Sequence, residues 1–303
     1  MIIAVFPGQG SQTPGFLSPW LELDGARDRL AQASDAAGVD LVAAGTEWDA
    51  DRIRDTAVAQ PLIVAAGLLS WAALQNAAPA APGGVAGHSV GEITALVASG
   101  VLTADDGMRL VGIRGRAMAD AAAQEQTGMS AVLGGDQDAV VARLGELDLT
   151  AANYNGGGQL VAAGALPALA ELAADPPRAT RVIPLQVAGA FHTRYMVPAV
   201  ETLRVAAADV QPHDPALTLW TNHDGSTVTG GREALDLLVA QVASPVRWDL
   251  CMASFADHDV TGIIELSPAG TLTGLAKRAL RGVPTVAVKT PDDLAAAAAL
   301  LGA

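Results

Sequence analysis

Basic residues are scarce in this chain. Eighteen Lys and Arg stand against 32 Asp and Glu in 303 residues, a net charge of −14. That balance excludes a general nucleic-acid binder, which needs a broad basic surface. Cysteine is rarer still. Cys251 stands alone, so no internal disulfide can form and the chain suits a reducing cytosol. The apolar flanks of Cys251 mark it as a buried filler rather than a nucleophile. No Cys/His cluster has metal-ligand spacing. No uninterrupted apolar run reaches roughly 18 residues, so a membrane-spanning helix is not expected. The N-terminus lacks a basic n-region and breaks at Pro7-Gly8, unlike a signal peptide. Together these absences predict a cytoplasmic protein with no nucleic-acid or membrane partner.

Apolar material is plentiful: 50% of residues are hydrophobic, enough for one large domain or a large and a small one. Ile2-Ile3-Ala4-Val5-Phe6 reads as a buried strand and runs into Pro7-Gly8-Gln9-Gly10-Ser11-Gln12. That loop has neither the Gly-Lys-Ser/Thr of a P-loop nor the spacing of a dinucleotide fold. At a strand's C-terminal end it lies on the ligand edge of an α/β sheet. Further on, Gly87-His88-Ser89-Val90-Gly91 is a G-x-S-x-G pattern between an apolar lead-in and a helix-forming run. Such an elbow holds a serine on a tight strand-to-helix turn, with helix N–H groups aimed where an oxyanion would develop. Taken alone, the pentapeptide fits a glycine-punctuated βα loop with an incidental serine equally well. Strand alternation sends the His88 side chain away from Ser89, so His88 reads as support for the elbow.

Strands and helices are expected to alternate from residue 1 to about 120, with a buried helix carrying Leu62 to Leu74. The texture then changes. Strands at Met129–Leu133, Leu149–Asn153, Gln159–Ala163 and Arg181–Val187 surround helices at Gln137–Leu147 and Pro167–Ala174. This β-α-β-β-α-β order is the ferredoxin-like pattern. The expected architecture is a large α/β-hydrolase-like domain with a parallel sheet, residues 1–124 and 190–303, and an inserted ferredoxin-like subdomain, residues 125–189. Leu294 to Leu301 reads as a closing helix.

Five motifs occur in order: Phe6-Pro7-Gly8-Gln9-Gly10-Ser11-Gln12, GHSVGE at Gly87–Glu92, IRGRAM at Ile113–Met118, Gly189-Ala190-Phe191-His192, and QVASPVRW at Gln241–Trp248. With them the chain resembles the malonyl-CoA:acyl carrier protein transacylases, from Met1 to about Leu280. The resemblance implies malonyl-CoA and a holo acyl carrier protein as partners in fatty-acid or polyketide synthesis. It implies ping-pong transfer through a malonyl ester of Ser89, in a cleft between the two domains. Coenzyme A enters as a substrate thioester, and no cofactor or metal is needed.

A serine nucleophile needs a base. On spacing alone any of His88, His192, His213, His223 and His258 could serve; the resemblance selects His192. In the family a backbone carbonyl, here that of Gln241, orients the base. The oxyanion donors are assigned to the N–H groups of Gln9 and Val90, and Val90 also follows from the elbow geometry. Arg114 matches the arginine that grips the malonyl carboxylate, a role suited to a guanidinium fork. Gly112 and Gly115 beside it suggest close packing, and Arg116 reads as surface. Phe191 bears on the α-carbon and disfavours α-methyl groups. Asn155 contacts the thioester or pantetheine arm, or serves as a turn residue before three glycines. Ser244 stands where many relatives carry asparagine. Lys277, Arg278, Arg281, Arg178, Arg181 and Arg194 are candidates for meeting anionic partners, or ordinary solvated surface. A serine thioesterase or esterase is the alternative; it predicts an acid such as Asp214, Asp224 or Asp249 beside His192. A non-catalytic carrier-binding module would form no serine adduct.

Overall fold

The computed structural model of the chain describes residues 1–78 and 80–302. The β-prone pentad forms β1 (Ile2–Phe6), whose last four residues are fully buried. The chain then makes α1 (Ala26–Ala37), α2 (Leu41–Thr46) and α3 (Thr56–Ala77) before returning as β2 (Gly84–Gly87). After β2 come α4 (Gly91–Ala98) and α5 (Ala104–Ala122) without an intervening strand. Simple alternation therefore does not hold here. The alanine- and leucine-rich segments pack on one another as helices over the sheet, where the sequence suggested strands between them.

α3 is long and apolar enough to cross a membrane by length and composition, with a mean hydropathy of 1.8, yet 72% of that stretch is buried inside the protein. It packs against α1, α4 and α5. The Asp55 carboxylate caps it by accepting from Ala57 N at 2.8 Å. Glycines let α5 come close to its neighbours. A Cβ on Gly112 would lie 2.4 Å from Ala37 O, and one on Gly115 would lie 3.0 Å from Thr56 O.

The next segment contains β3 (Thr127–Gly134), α6 (Gln137–Glu146), β4 (Thr150–Gly156), β5 (Gln159–Ala165), α7 (Leu166–Ala174) and β6 (Thr180–Pro184). Its strands form an antiparallel sheet in the order β4-β5-β3-β6, the ferredoxin-like arrangement. Val132, Val140, Leu144, Leu160, Leu169 and Leu172 form its core. β6 ends sooner than its apolar run suggests. Leu185 N still donates to Met129 O at 2.9 Å, after which the chain turns to the cleft.

The remaining elements are α8 (Val197–Ala208), β7 (Thr218–Trp220), β8 (Thr227–Val228), α9 (Gly231–Gln241), α10 (Trp248–Asp257), β9 (Gly262–Glu265), α11 (Thr271–Ala279), β10 (Thr285–Ala287) and α12 (Leu294–Leu301). The large sheet has the order β10-β9-β1-β2-β7-β8. All its pairs are parallel except β7 with β8 at one edge. The two sheets are joined beside the cleft. Tyr154 N donates to Val246 O and Val246 N to Ala152 O, both at 2.9 Å, so β4 grips the segment that follows α9.

Candidate active site

Strand β2 ends at Gly87 and helix α4 begins at Gly91. Between them Ser89 adopts φ 53°, a left-handed conformation unusual for a side-chain-bearing residue and common at functional turns. The flanking glycines permit the turn. A Cβ on Gly87 would sit 2.1 Å from the backbone of Gly91, and one on Gly91 would sit 2.2 Å from Phe6 O. The serine thus stands at the C-terminal edge of the parallel sheet, over the start of α4.

His192, also left-handed at φ 61°, places Nε2 2.6 Å from Ser89 Oγ. Its Nδ1–H donates to Gln241 O at 2.8 Å. That bond fixes the tautomer, leaving Nε2 free to accept from the serine hydroxyl. Among the described residues no carboxylate takes the Gln241 place. Asp249 is paired with Arg247 at 2.8 Å, Asp214 accepts from Gly231 N, and Asp224 accepts from Ser226 N. Burial, Arg114 and His88 push the His192 pKa down to about 3, so the ring is a neutral base at physiological pH.

A cavity of about 270 Å³ opens over this pair, lined among others by Gln9, Ser89, Val90, Asn155, Phe191 and His192. Ser89 N is taken by Asn222 Oδ1 at 2.7 Å, whereas the N–H groups of Gln9 and Val90 make no hydrogen bond among the described residues. The Gln9 side chain ties its loop to Arg54 O and Thr56 Oγ1, both at 3.4 Å.

Arg114 projects from α5 into a dry position, 1% exposed. Nη1 donates to Gln60 Oε1 at 2.6 Å and Nη2 to Gln241 Oε1 at 3.0 Å, while Nε has no partner. Gln60 lines the cavity and Arg114 lies behind it. Burial lowers the Arg114 pKa to about 10, partly offset by Glu92, so the guanidinium keeps its charge. Arg116 is exposed and donates to Ala37 O at 2.8 Å.

One expectation needs revision. The His88 side chain is not sent away from the cavity. β2 stops at Gly87 and the turn begins, so alternation no longer applies, and the ring lines the same cavity as Ser89. His88 Nε2 bonds Asn155 Oδ1 at 2.9 Å and the ring packs edge-on against Trp248. Asn155 therefore already spends its carbonyl oxygen on the elbow, and it is at once a cavity wall and the residue before a hairpin with positive φ at Gly156, Gly157 and Gly158. Cys251 is buried, its Sγ 3.3 Å from Thr221 O, and burial raises its pKa, as befits a filler.

Sequence reasoning missed Gln60, Glu92 and Asn222. Asn222 Nδ2 donates to Gly87 O at 2.7 Å, and its backbone N donates to Glu92 Oε1 at 3.1 Å. The available signal was polarity inside apolar runs: Gln60 interrupts Ala57–Leu69, and Glu92 is the one charged residue in a helix that is apolar apart from Thr94. Of the basic candidates, Arg194 is paired with Asp148. Arg178, Arg181, Lys277, Arg278 and Arg281 are exposed. Arg278 Nη2 reaches Gln159 Oε1 at 3.1 Å on the cavity rim.

An elbow serine, a neutral histidine and a pair of N–H groups with no hydrogen-bond partner among the described residues form an arrangement chemically capable of acyl transfer through a serine. The acyl transferase domain family matches residues 3–298. Malonyl CoA-acyl carrier protein transacylase of Mycobacterium tuberculosis is 55% identical over 296 residues, 97% of this chain and 98% of the relative. The protein of that name in Escherichia coli is 34% identical over 301 residues, 97% of each. The crystal structure of MCAT from Mycobacterium tuberculosis superposes with TM-score 0.95 at 54% identity, covering 98% of this chain and all of that one. A malonyl-transacylase in complex with a type II PKS acyl-carrier protein superposes with TM-score 0.92 at 30% identity, covering 99% of each. The chain belongs to the acyl transferase family and, within it, to the malonyl CoA-acyl carrier protein transacylases.

Proposed function

We propose that the protein moves a malonyl group from malonyl-CoA to the phosphopantetheine thiol of an acyl carrier protein, through an ester on Ser89. The observation that carries this reading is a buried cation, Arg114, caged by neutral amides directly behind a serine–histidine pair. A buried guanidinium with one donor unpartnered favours an acyl group that brings a carboxylate. The incoming carboxylate takes over the contact now made by Gln60 Oε1.

His192 Nε2 takes the Ser89 hydroxyl proton as Oγ attacks the thioester carbonyl. The N–H groups of Gln9 and Val90 meet the oxyanion. On collapse the C–S bond breaks and His192 returns the proton to the leaving coenzyme A sulfur. The carrier thiol then repeats the sequence in reverse. A backbone carbonyl stabilises the imidazolium less than a carboxylate would, which suits a leaving group as good as a thiolate. The chemistry so written needs no metal or cofactor. Residues 1–124 and 190–303 serve as the catalytic domain, 125–189 as the subdomain that closes the cleft, and the reaction belongs in the cytoplasm.

Intact mass of the protein mixed with malonyl-CoA tests the reading. A single malonyl adduct is expected, absent in Ser89→Ala and discharged by holo carrier protein. Free malonate with no lasting adduct would make the protein a thioesterase instead.

A further inference from the structure

Two buried acids, Glu92 and Glu265, play no part in the mechanism above, and of these Glu92 adjoins the site. Glu92 lies on the first turn of α4, three residues past the nucleophile and 3% exposed. Oε1 accepts from Asn222 N at 3.1 Å, and Oε2 accepts from Gln241 Nε2. The second contact decides which way the Gln241 amide faces. With Nε2 held toward Glu92, Ser89 O and Asn222 Oδ1, at 3.2 Å and 3.3 Å for the latter two, Oε1 must face Arg114. The same residue's backbone oxygen holds His192. Asn222 in turn holds Ser89 N and Gly87 O. One carboxyl group therefore anchors the two residues that between them hold the elbow, the base and the arginine.

Charge adds a second consideration. Glu92 is the acid whose field is felt at Arg114. Of the titratable groups packed around it, Arg114 comes from α5 and Cys251 from α10. His192 stands beyond Gln241, His88 is bonded to Asn155, and burial keeps both rings neutral near pH 7. Without substrate, ionised Glu92 is one buried anion against one buried cation. A malonyl carboxylate on Arg114 makes two anions against one cation, an arrangement that a low-dielectric interior penalises.

We propose that Glu92 is a positioning residue that sets the Gln241 amide and, when ionised, balances Arg114, and that it becomes fully protonated, drawing the proton from solvent, when a carboxylate-bearing acyl group occupies Arg114. The step makes one O–H bond and neutralises one carboxylate; nothing is oxidised or reduced. The proposal rests on the malonyl-transfer reading. Burial already holds the Glu92 pKa up at about 7, so a second anion needs to raise it only modestly. Proton uptake on binding favours binding at low pH, and affinity for malonyl-CoA should fall as pH rises through about 7.

The test is calorimetric titration of malonyl-CoA into Ser89→Ala protein near neutral pH, in two buffers of different ionisation heat. Acetyl-CoA is the ligand without a carboxylate, and the phosphates shared by both ligands cancel in the difference. Malonyl-CoA is expected to draw in about half a proton more than acetyl-CoA, and Ser89→Ala/Glu92→Gln protein is expected to lose that difference. Equal uptake for both ligands, or an excess that survives Glu92→Gln, would overturn the proposal. In parallel, Glu92→Gln in the otherwise native enzyme is expected to slow malonyl loading by about 10- to 100-fold, with KM no longer rising with pH. A folded Glu92→Gln enzyme that loads at the native rate with the native pH profile would also overturn it. Failure of the native enzyme to form any malonyl adduct would defeat the malonyl-transfer reading instead.

Discussion

His192 is kept neutral by where it is put. An ordinary histidine begins to protonate near 6.5, and this one is held at about 3 by burial and by Arg114. Loading by the free enzyme should therefore show no loss of base as pH falls through 6.5, which a kcat/KM profile for malonyl-CoA checks. The same shift bears on stability. The unfolded chain binds a proton below 6.5 that the folded chain refuses until about 3, so folding weakens as pH falls across that window. Glu92 acts with the opposite sign. Its folded pKa of about 7 lies above the ordinary 4.5, so its contribution is present below 4.5 and lost as pH rises toward 7. Chemical denaturation from pH 7 to pH 5 should accordingly cost the native protein more than a folded His192→Gln variant. On the proposed mechanism, selectivity rests with Arg114 and Phe191. Arg114→Ala should lower kcat/KM for malonyl-CoA by about 1.5–3 kcal/mol, on the order of 10- to 100-fold, with little effect on acetyl-CoA. Phe191→Ser should shift preference toward methylmalonyl-CoA by about 1–3 kcal/mol. Competition assays with paired thioesters read both.

At the scale of elements, the elbow is the strand–turn–helix unit that the site depends on. With a Cβ on Gly87 or Gly91 facing backbone at 2.1–2.2 Å, no side-chain rotation relieves the clash. Gly87→Ala and Gly91→Ala should each destabilise the protein by about 3 kcal/mol and displace Ser89, read as a lowered Tm with loss of the malonyl adduct. This unit was legible in the sequence because glycine spacing records backbone proximity directly. The small sheet was legible too, its period switching between strand and helix with three glycines at the β4–β5 hairpin. Less could be read between β1 and β2. Three helices lie there, because apolar alanine- and leucine-rich segments look alike whether they pair or pack. The Glu92–Gln241–Asn222 network could not be read at all. Its members are 149 and 130 residues away from Glu92, and only the tertiary fold brings them into contact.

The whole molecule carries a net charge of −14 yet must receive coenzyme A, whose phosphates are anionic, and an acyl carrier protein. We propose that a local basic rim on an acidic body reconciles the two. α11 contributes Thr271, Leu272 and Leu275 to the cavity wall, and its last turn presents Lys277 and Arg278 to solvent. Arg278 also bonds Gln159 from the small sheet, so the charge stands where the cleft opens between the two sheets. Rim charges act mainly on encounter rates and lose their effect as salt screens them. Arg278→Glu should therefore raise KM for the carrier protein about 3- to 10-fold at low salt and by less at high salt. Measuring the two half-reactions separately tells which anion the rim serves. Slower discharge of preformed malonyl-enzyme by carrier assigns Arg278 to the protein partner. Slower loading from malonyl-CoA, with discharge unchanged, would place the coenzyme A phosphates there instead.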